Sequence, residues 1–171
     1  RKALRAASIF GEVFWAEGVR ALAGEEAEQS LAGLERRELV ARRTTGRLAG
    51  RREYAFRHAL VREAAYAMLV DADRALGHKL AADWLESNGE TDALSIAKHL
   101  EQGGEGVRAA EAFERAARQA LDGNDFAEAL SRAERGVTSG ARGETLGRLR
   151  LTQAEAHAYR PIVATALQPV E

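Results

Sequence analysis

The side chains with the most chemical potential in this chain are Arg57, His58 and Arg62, within the stretch EYAFRHALVREAAYAMLV at 53–70. Histidine changes charge near neutral pH, and arginine is a fixed cation with a planar fork of donors. Together they could present a cation or a donor to a nucleotide phosphate held by another domain. The same position admits a structural reading, in which a His58 ring nitrogen bonds a backbone carbonyl where one element turns into the next. Other chemistries find no support. The four histidines (58, 78, 99, 157) are widely spaced, HExxH is missing and there is no cysteine, so no metal set is expected. A phosphate-binding P-loop needs Gly-Lys followed by Ser or Thr, and none of Lys2, Lys79 and Lys98 follows a glycine. The glycines of QGGEG (102–106) follow no strand and read as a helix break. The serines lack an elbow motif, and Glu25–Glu28 and Glu35–Glu38 read as solvated helix surface. No catalytic residue and no cofactor are therefore expected of this chain itself.

Charge is distributed unevenly. The net charge is −1, yet residues 36–62 hold nine arginines (36, 37, 42, 43, 47, 51, 52, 57, 62) against Glu38 and Glu53, a local balance of +7. The remainder carries −8. Such a cluster can neutralise nucleic-acid phosphates, remain a solvated surface, or dock an acidic neighbour. The 36 alanines and only two prolines favour helix, because alanine loses no side-chain entropy there. The longest apolar run, 64–70, is far short of the roughly 18 residues that span a bilayer. Absence of a signal peptide gives a cytoplasmic protein with no membrane partner as the expectation. The missing initiator methionine and a start within a helical pattern suggest a piece of a longer protein.

Several elements must position these residues. Residues 2–10 read as a helix with Leu4, Ala7 and Ile9 inward, ended by Gly11. Residues 13–23 read as a second helix carrying Phe14, Val19 and Leu22. Residues 25–38 read as a third, with Leu31 and Leu34 inward and carboxylates in its first turn. The period then changes: 39–41 and 54–56 read as two strands of a hairpin around Gly46 and Gly50. After His58, the residues Leu60, Ala64, Ala67 and Met68 recur at helical spacing. Three helices, a hairpin and a further helix approach a winged-helix arrangement over 1–70, with the hairpin as the wing. In that arrangement 25–38 would be the recognition helix, but its Glu25, Glu26, Glu28 and Glu35 would face a polyanion. Nucleic acid is thus an unfavoured partner.

Residues 71–171 read as helical throughout. Asp71 or Asp73 is expected to cap a helix bearing Leu76, Leu80 and Trp84 on one face. The next carries Ala93, Ile96, Ala97 and Leu100. Then come Ala110, Phe113, Ala117 and Ala120, a Gly123-Asn124 turn, and Phe126, Ala129, Leu130 and Ala133. A last helix is expected over about 144–159, ended by Pro161. A 34-residue period aligns Ala117 with Leu151 and Ala120 with Ala154. The segment FERAARQALDGNDFAEALSRAERGV resembles a tetratricopeptide (TPR) repeat. Phe113, Ala117, Ala120, Phe126, Ala129, Ala133 and Gly136 are its packing residues, although the usual closing proline is replaced near Ala141. Small residues let paired helices cross closely, and each pair then buries a face on the next.

Three segments together, LRAASIFGEVFWAEGVRAL, LAGLERRELVARR and EYAFRHALVREAAYAMLV, resemble the region that follows the nucleotide-binding module in bacterial STAND-class signalling ATPases. These are AAA-related regulators fused to protein kinases, nucleotide cyclases or DNA-binding outputs. The family's Phe-x-His-x-Leu-x-x-Glu-x-x-Tyr pattern is matched by Phe56, His58, Leu60, Glu63 and Tyr66, and IAKHLEQGG (96–104) is similar to the opening of its helical array. The resemblance implies a winged-helix domain that closes on an ATPase core holding ATP or ADP, with a histidine such as His58 contacting the nucleotide. That core is absent from this chain. The expectation is therefore a mainly α fragment, with a winged-helix-like domain at 1–70 and TPR-like α-α superhelical repeats at 71–171. It would relay nucleotide state and contact proteins, namely its own ATPase domain and an unidentified partner on the repeats. Two alternatives stand beside this reading: a TPR-type protein-binding scaffold without nucleotide coupling, and a DNA-binding winged-helix regulator.

Overall fold

Helices dominate the chain, joined by one small antiparallel sheet. The computed structural model describes residues 1–44 and 46–166. In order these form α1 (Lys2–Phe10), β1 (Val13–Trp15), α2 (Ala16–Ala23), α3 (Glu25–Gln29), α4 (Leu31–Arg36), β2 (Val40–Arg42), β3 (Glu53–Phe56), α5 (Ala59–Ala67), α6 (Asp71–Ser87), α7 (Ala93–Gln102), α8 (Gly106–Asp122), α9 (Phe126–Thr138) and α10 (Gly143–Ala166). They divide into two compact units. The first is residues 1–90 with 102–104, and the second is the rest from Thr91 on. The domain boundary expected at residue 70 falls between α5 and α6, and α6 lies within the first unit.

In the first unit the sheet order is β1-β3-β2, so β3 is central. Val13–Trp15 is thus a strand, where a helix over 13–23 was expected. Val-Phe-Trp suits a pleated, half-buried surface, and its backbone finds partners on β3, with Phe14 opposite Tyr54 and Trp15 opposite Glu53. On the other edge Val40 faces Phe56 and Arg42 faces Tyr54, the expected hairpin. Alternation then sorts the side chains by face. Phe14, Val40, Tyr54 and Phe56 join Ala3, Ala7, Val19, Ala27, Leu31 and Leu34 in one core. Phe14 stacks on Tyr54 at 5.8 Å and lies 5.2 Å from Phe56. Full burial of such a ring contributes roughly 1.5–3 kcal/mol. Trp15 and Glu53 point the opposite way. Trp15 meets Phe10 edge-on at 5.9 Å and Trp84 of α6 at 5.5 Å.

The single helix expected over 25–38 is instead α3 and α4, broken at Ser30, whose hydroxyl bonds back to the Glu26 carbonyl. Such back-bonding competes with the helical ladder. At α6, the N-cap is Val70 and the two aspartates lie in the first turn without capping. Its fully buried residues are His78, Ala81, Ala82 and Leu85; of the stripe expected at 76, 80 and 84, Leu80 and Trp84 are half-buried, Trp84 against Trp15 and Phe10, and Leu76 alone is exposed. Gly77 lets α1 approach: a Cβ there would lie 2.9 Å from Ile9.

The second unit follows its expected pattern more closely. Asp92 Oδ1 accepts from the Leu94 and Ser95 backbone N–H groups at the start of α7, and Asp125 caps α9 by accepting from Glu128. Ala93, Ile96, Ala97 and Leu100 are all buried. Asn124 takes the left-handed conformation (φ 60°) that closes the turn between α8 and α9. On α10 Leu149, Thr152 and Ala156 are buried, while Leu151 and Ala154 face solvent. The 34-residue alignment therefore misses by two: Leu149 and Ala156 follow Phe113 and Ala120 at a spacing of 36. Pro161, expected to end the last helix, lies inside α10. Residues 167–171 lie outside the described residues.

Candidate functional site

The β3–α5 junction is built by the ladder itself. Phe56 is anchored in the core, and the Arg57 N–H donates to the Leu39 carbonyl at 3.1 Å, extending the β2–β3 pairing by one residue. His58 is the N-cap of α5 in extended conformation (φ −135°, ψ 127°). Its carbonyl accepts from Val61 at 3.1 Å, starting the helix. Its side chain makes no capping hydrogen bond, and both Arg57 and His58 are exposed. The structural reading, a ring nitrogen tied to a backbone carbonyl, is therefore not what holds this junction. Backbone bonds hold it, and the ring is left outside.

The motif residues separate into two groups. Phe56 and Tyr66 face inward. The Tyr66 hydroxyl and His78 Nε2 are 2.9 Å apart, the rings meet edge-on, and the Arg74 guanidinium lies 5.1 Å from the Tyr66 ring centre. Burial lowers the His78 pKa from 6.5 to about 4. The imidazole is thus neutral at neutral pH, and with its proton on Nδ1 it accepts from the Tyr66 O–H. His58, Leu60 and Glu63 face outward. Glu63 pairs at 3.6 Å with Arg62, which is half-buried. Leu60, Ala64, Ala67 and Met68, the residues that recur at helical spacing, are all exposed, and α5 packs through Ala65 instead. The spacing had them correctly on one face, but that face is the outer one.

About half of the arginine cluster is absorbed by the fold. Glu53, almost fully buried, takes Arg43 Nε at 3.1 Å and the Arg47 backbone N–H at 2.9 Å. Arg47 reaches Glu90 at 3.6 Å and stands over Trp15 at 5.4 Å. Arg52 bonds Glu17 at 3.0 Å and also Glu28, which Arg20 approaches at 3.5 Å. Partial burial alone would raise the Glu17 pKa. Hydrogen bonds from its own backbone and from Arg52 outweigh this and hold the carboxyl below its ordinary value. Arg36, Arg37, Arg42, Arg51 and Arg57 form no ion pair among the described residues. A local charge count could not anticipate this, since Glu17, Glu28 and Glu90 come from outside the basic segment.

In the second unit the expected packing residues do meet. Phe113, Ala117, Ala120, Ala129 and Ala133 are buried, and Phe126 packs beside Ala120 and Leu121. Arg135 stands 4.5 Å above the Phe113 ring. A cavity of about 290 Å³ opens where α8, α9 and α10 meet, lined by Arg118, Leu121, Asp122, Phe126, Glu155 and Tyr159 among others. Arg118 spans it, 2.8 Å from Glu155 and 3.1 Å from Asp122.

Among the described residues no group of histidines and carboxylates could hold a metal ion, and no helix is long and apolar enough to cross a membrane. Comparison with protein-family models, with curated proteins and with solved structures finds no match for this chain.

Proposed function

We propose that this chain is a non-catalytic regulatory part of a STAND-type signalling ATPase. The first unit is a winged-helix-like module that reads nucleotide state, and the second is a TPR-like helical array that contacts protein. The observation that carries the reading is the exposed Arg57-His58 pair at the start of α5. Its backbone is fixed by the β ladder and the first helical turn, while the exposed His58 side chain makes no capping bond. An exposed histidine on a fixed backbone suits contact with a phosphate brought by another domain. Arg62, half-buried and paired with Glu63, is the weaker member of the three.

Coupling of about 1–3 kcal/mol between nucleotide and pose would suffice for such a switch. The test uses the full-length protein. Its gene should encode, upstream of Arg1, a Gly-rich loop ending in Gly-Lys-Ser or Gly-Lys-Thr. In that protein His58→Ala should release bound ADP about 5-fold to 150-fold faster, the range such coupling gives. An upstream sequence without the loop, or an unchanged ADP release rate, overturns the relay.

The cavity beside Phe126 and Tyr159 favours a second reading, a peptide-binding scaffold without nucleotide coupling. Partners captured through 105–160 irrespective of nucleotide would support it. The DNA-binding reading loses support from the break at Ser30 and from Arg52 being held by Glu17 and Glu28. Salt-sensitive duplex binding would be needed to revive it.

A further inference from the structure

A cleft of about 220 Å³ lies within the first unit, where α1, the end of α2 and α6 meet. Ile9, Leu22, Leu69, Leu76 and Leu80 form apolar walls, and Leu76 is 57% exposed, so the cleft is open to water on that side. Three charged residues, Lys2, Arg5 and Asp73, share the lining. None of them forms an ion pair among the described residues, so two cations stand against one carboxylate and a positive charge is left over. Lys2, Arg5 and Ile9 recur at helical spacing and share one face of α1. Lys2 and Ile9 lie about 10 Å apart along the helix. The cleft thus joins two cations to an apolar wall over the length of a short alkyl chain.

We propose that this cleft binds a free single-chain carboxylate, with its alkyl chain along Ile9, Leu22, Leu76 and Leu80 and its head between Lys2 and Arg5. Charge selects the head. A carboxylate accepts from an ammonium and a guanidinium at once, whereas a neutral or cationic head leaves both cations unanswered. Volume selects the chain. The cleft is smaller than the roughly 300–1,000 Å³ of sites for drug-sized ligands, which favours one narrow chain over a ring system. At roughly 30 Å³ for each water-sized group it holds about seven, the alkyl part of octanoate. A ligand of that size, enclosed over part of its surface, is expected to bind with a Kd between about 10 µM and 1 mM. The site uses neither Arg57 nor His58 and stands apart from the nucleotide relay.

The test is titration of the 171-residue chain with octanoate, followed through the leucine methyl groups by NMR. The methyls of Leu22, Leu69, Leu76 and Leu80 should shift saturably, while those of Leu149 in the second unit stay in place. Affinity should rise about twofold to fourfold with each methylene from butanoate to octanoate, and level off at decanoate because the cleft is then full. Octanol and octylammonium should bind at least about tenfold more weakly. Lys2→Glu combined with Arg5→Glu should reverse the preference between octanoate and octylammonium and leave the circular dichroism unchanged. If that variant does not fold, the comparison of head groups on the unaltered chain decides the matter. Methyls unmoved at about 10 mM octanoate overturn the proposal. So does octylammonium binding as tightly as octanoate, or a response confined to anionic vesicles, which would make this face a membrane contact.

Discussion

Acid should destabilise the first unit through His78. The imidazole is 4% exposed, bonded to Tyr66, and burial takes its pKa from 6.5 to about 4. On unfolding it regains the ordinary value. Between these two pH values the unfolded chain binds more protons than the folded one, so stability rises with pH across the window. The contribution is fully present above pH 6.5 and falls away progressively as pH drops toward 4. The interval corresponds to a loss of up to about 3 kcal/mol. That is a large share of the roughly 5–15 kcal/mol by which a domain is stable.

The assay is urea denaturation at a series of pH values, followed by tryptophan fluorescence. Both tryptophans, Trp15 and Trp84, lie in the first unit, so this signal isolates the unit that contains His78. His78→Leu removes the titrating group and should remove most of the pH dependence between 6.5 and 4. A direct measurement does not depend on that variant folding: the ring proton of His78, followed by NMR, should report a neutral imidazole at pH 5.5. A His78 that titrates near 6.5 would refute the reasoning, because the ring would then be reaching water in the native state.

Three further perturbations test other parts of the account. His58→Ala should change the first unit's stability by less than about 0.5 kcal/mol in the same urea experiment, since the ring is exposed and uncapped; a loss above about 1.5 kcal/mol would make it a structural hinge. Gly136→Val should destabilise the second unit by about 1–3 kcal/mol in a thermal melt followed by circular dichroism, because a Cβ there falls 2.9 Å from Leu149 and 3.2 Å from Phe113; adding Leu149→Ala should relieve part of that strain. Asp125→Ala should cost about 1 kcal/mol by the same melt, through loss of the cap bond to the Glu128 N–H, and an unchanged midpoint would show the cap to be idle.

What could be read from the sequence, and what could not, follows the range of the forces involved. The second unit was legible because its signals are local. Asp92 and Asp125 bond to backbone groups two or three residues away, and the alanines of α8 and α9 face neighbours across a short turn. In the first unit the deciding partners are distant. Val13–Trp15 becomes a strand because β3 offers a free edge some 40 residues later, and Glu53 is buried because Arg43 and Arg47 fold back over it. The outer face of α5 shows the limit most directly. Periodicity establishes which residues share a face, but the side that turns inward depends on what else is available to cover it. On α5 the core takes Ala65, with Tyr66 reaching His78, and Leu60, Ala64, Ala67 and Met68 are left outside. His58 sits at the head of that helix, where its backbone carbonyl starts the first turn while its exposed side chain makes no capping bond, a division that the sequence pattern alone does not reveal.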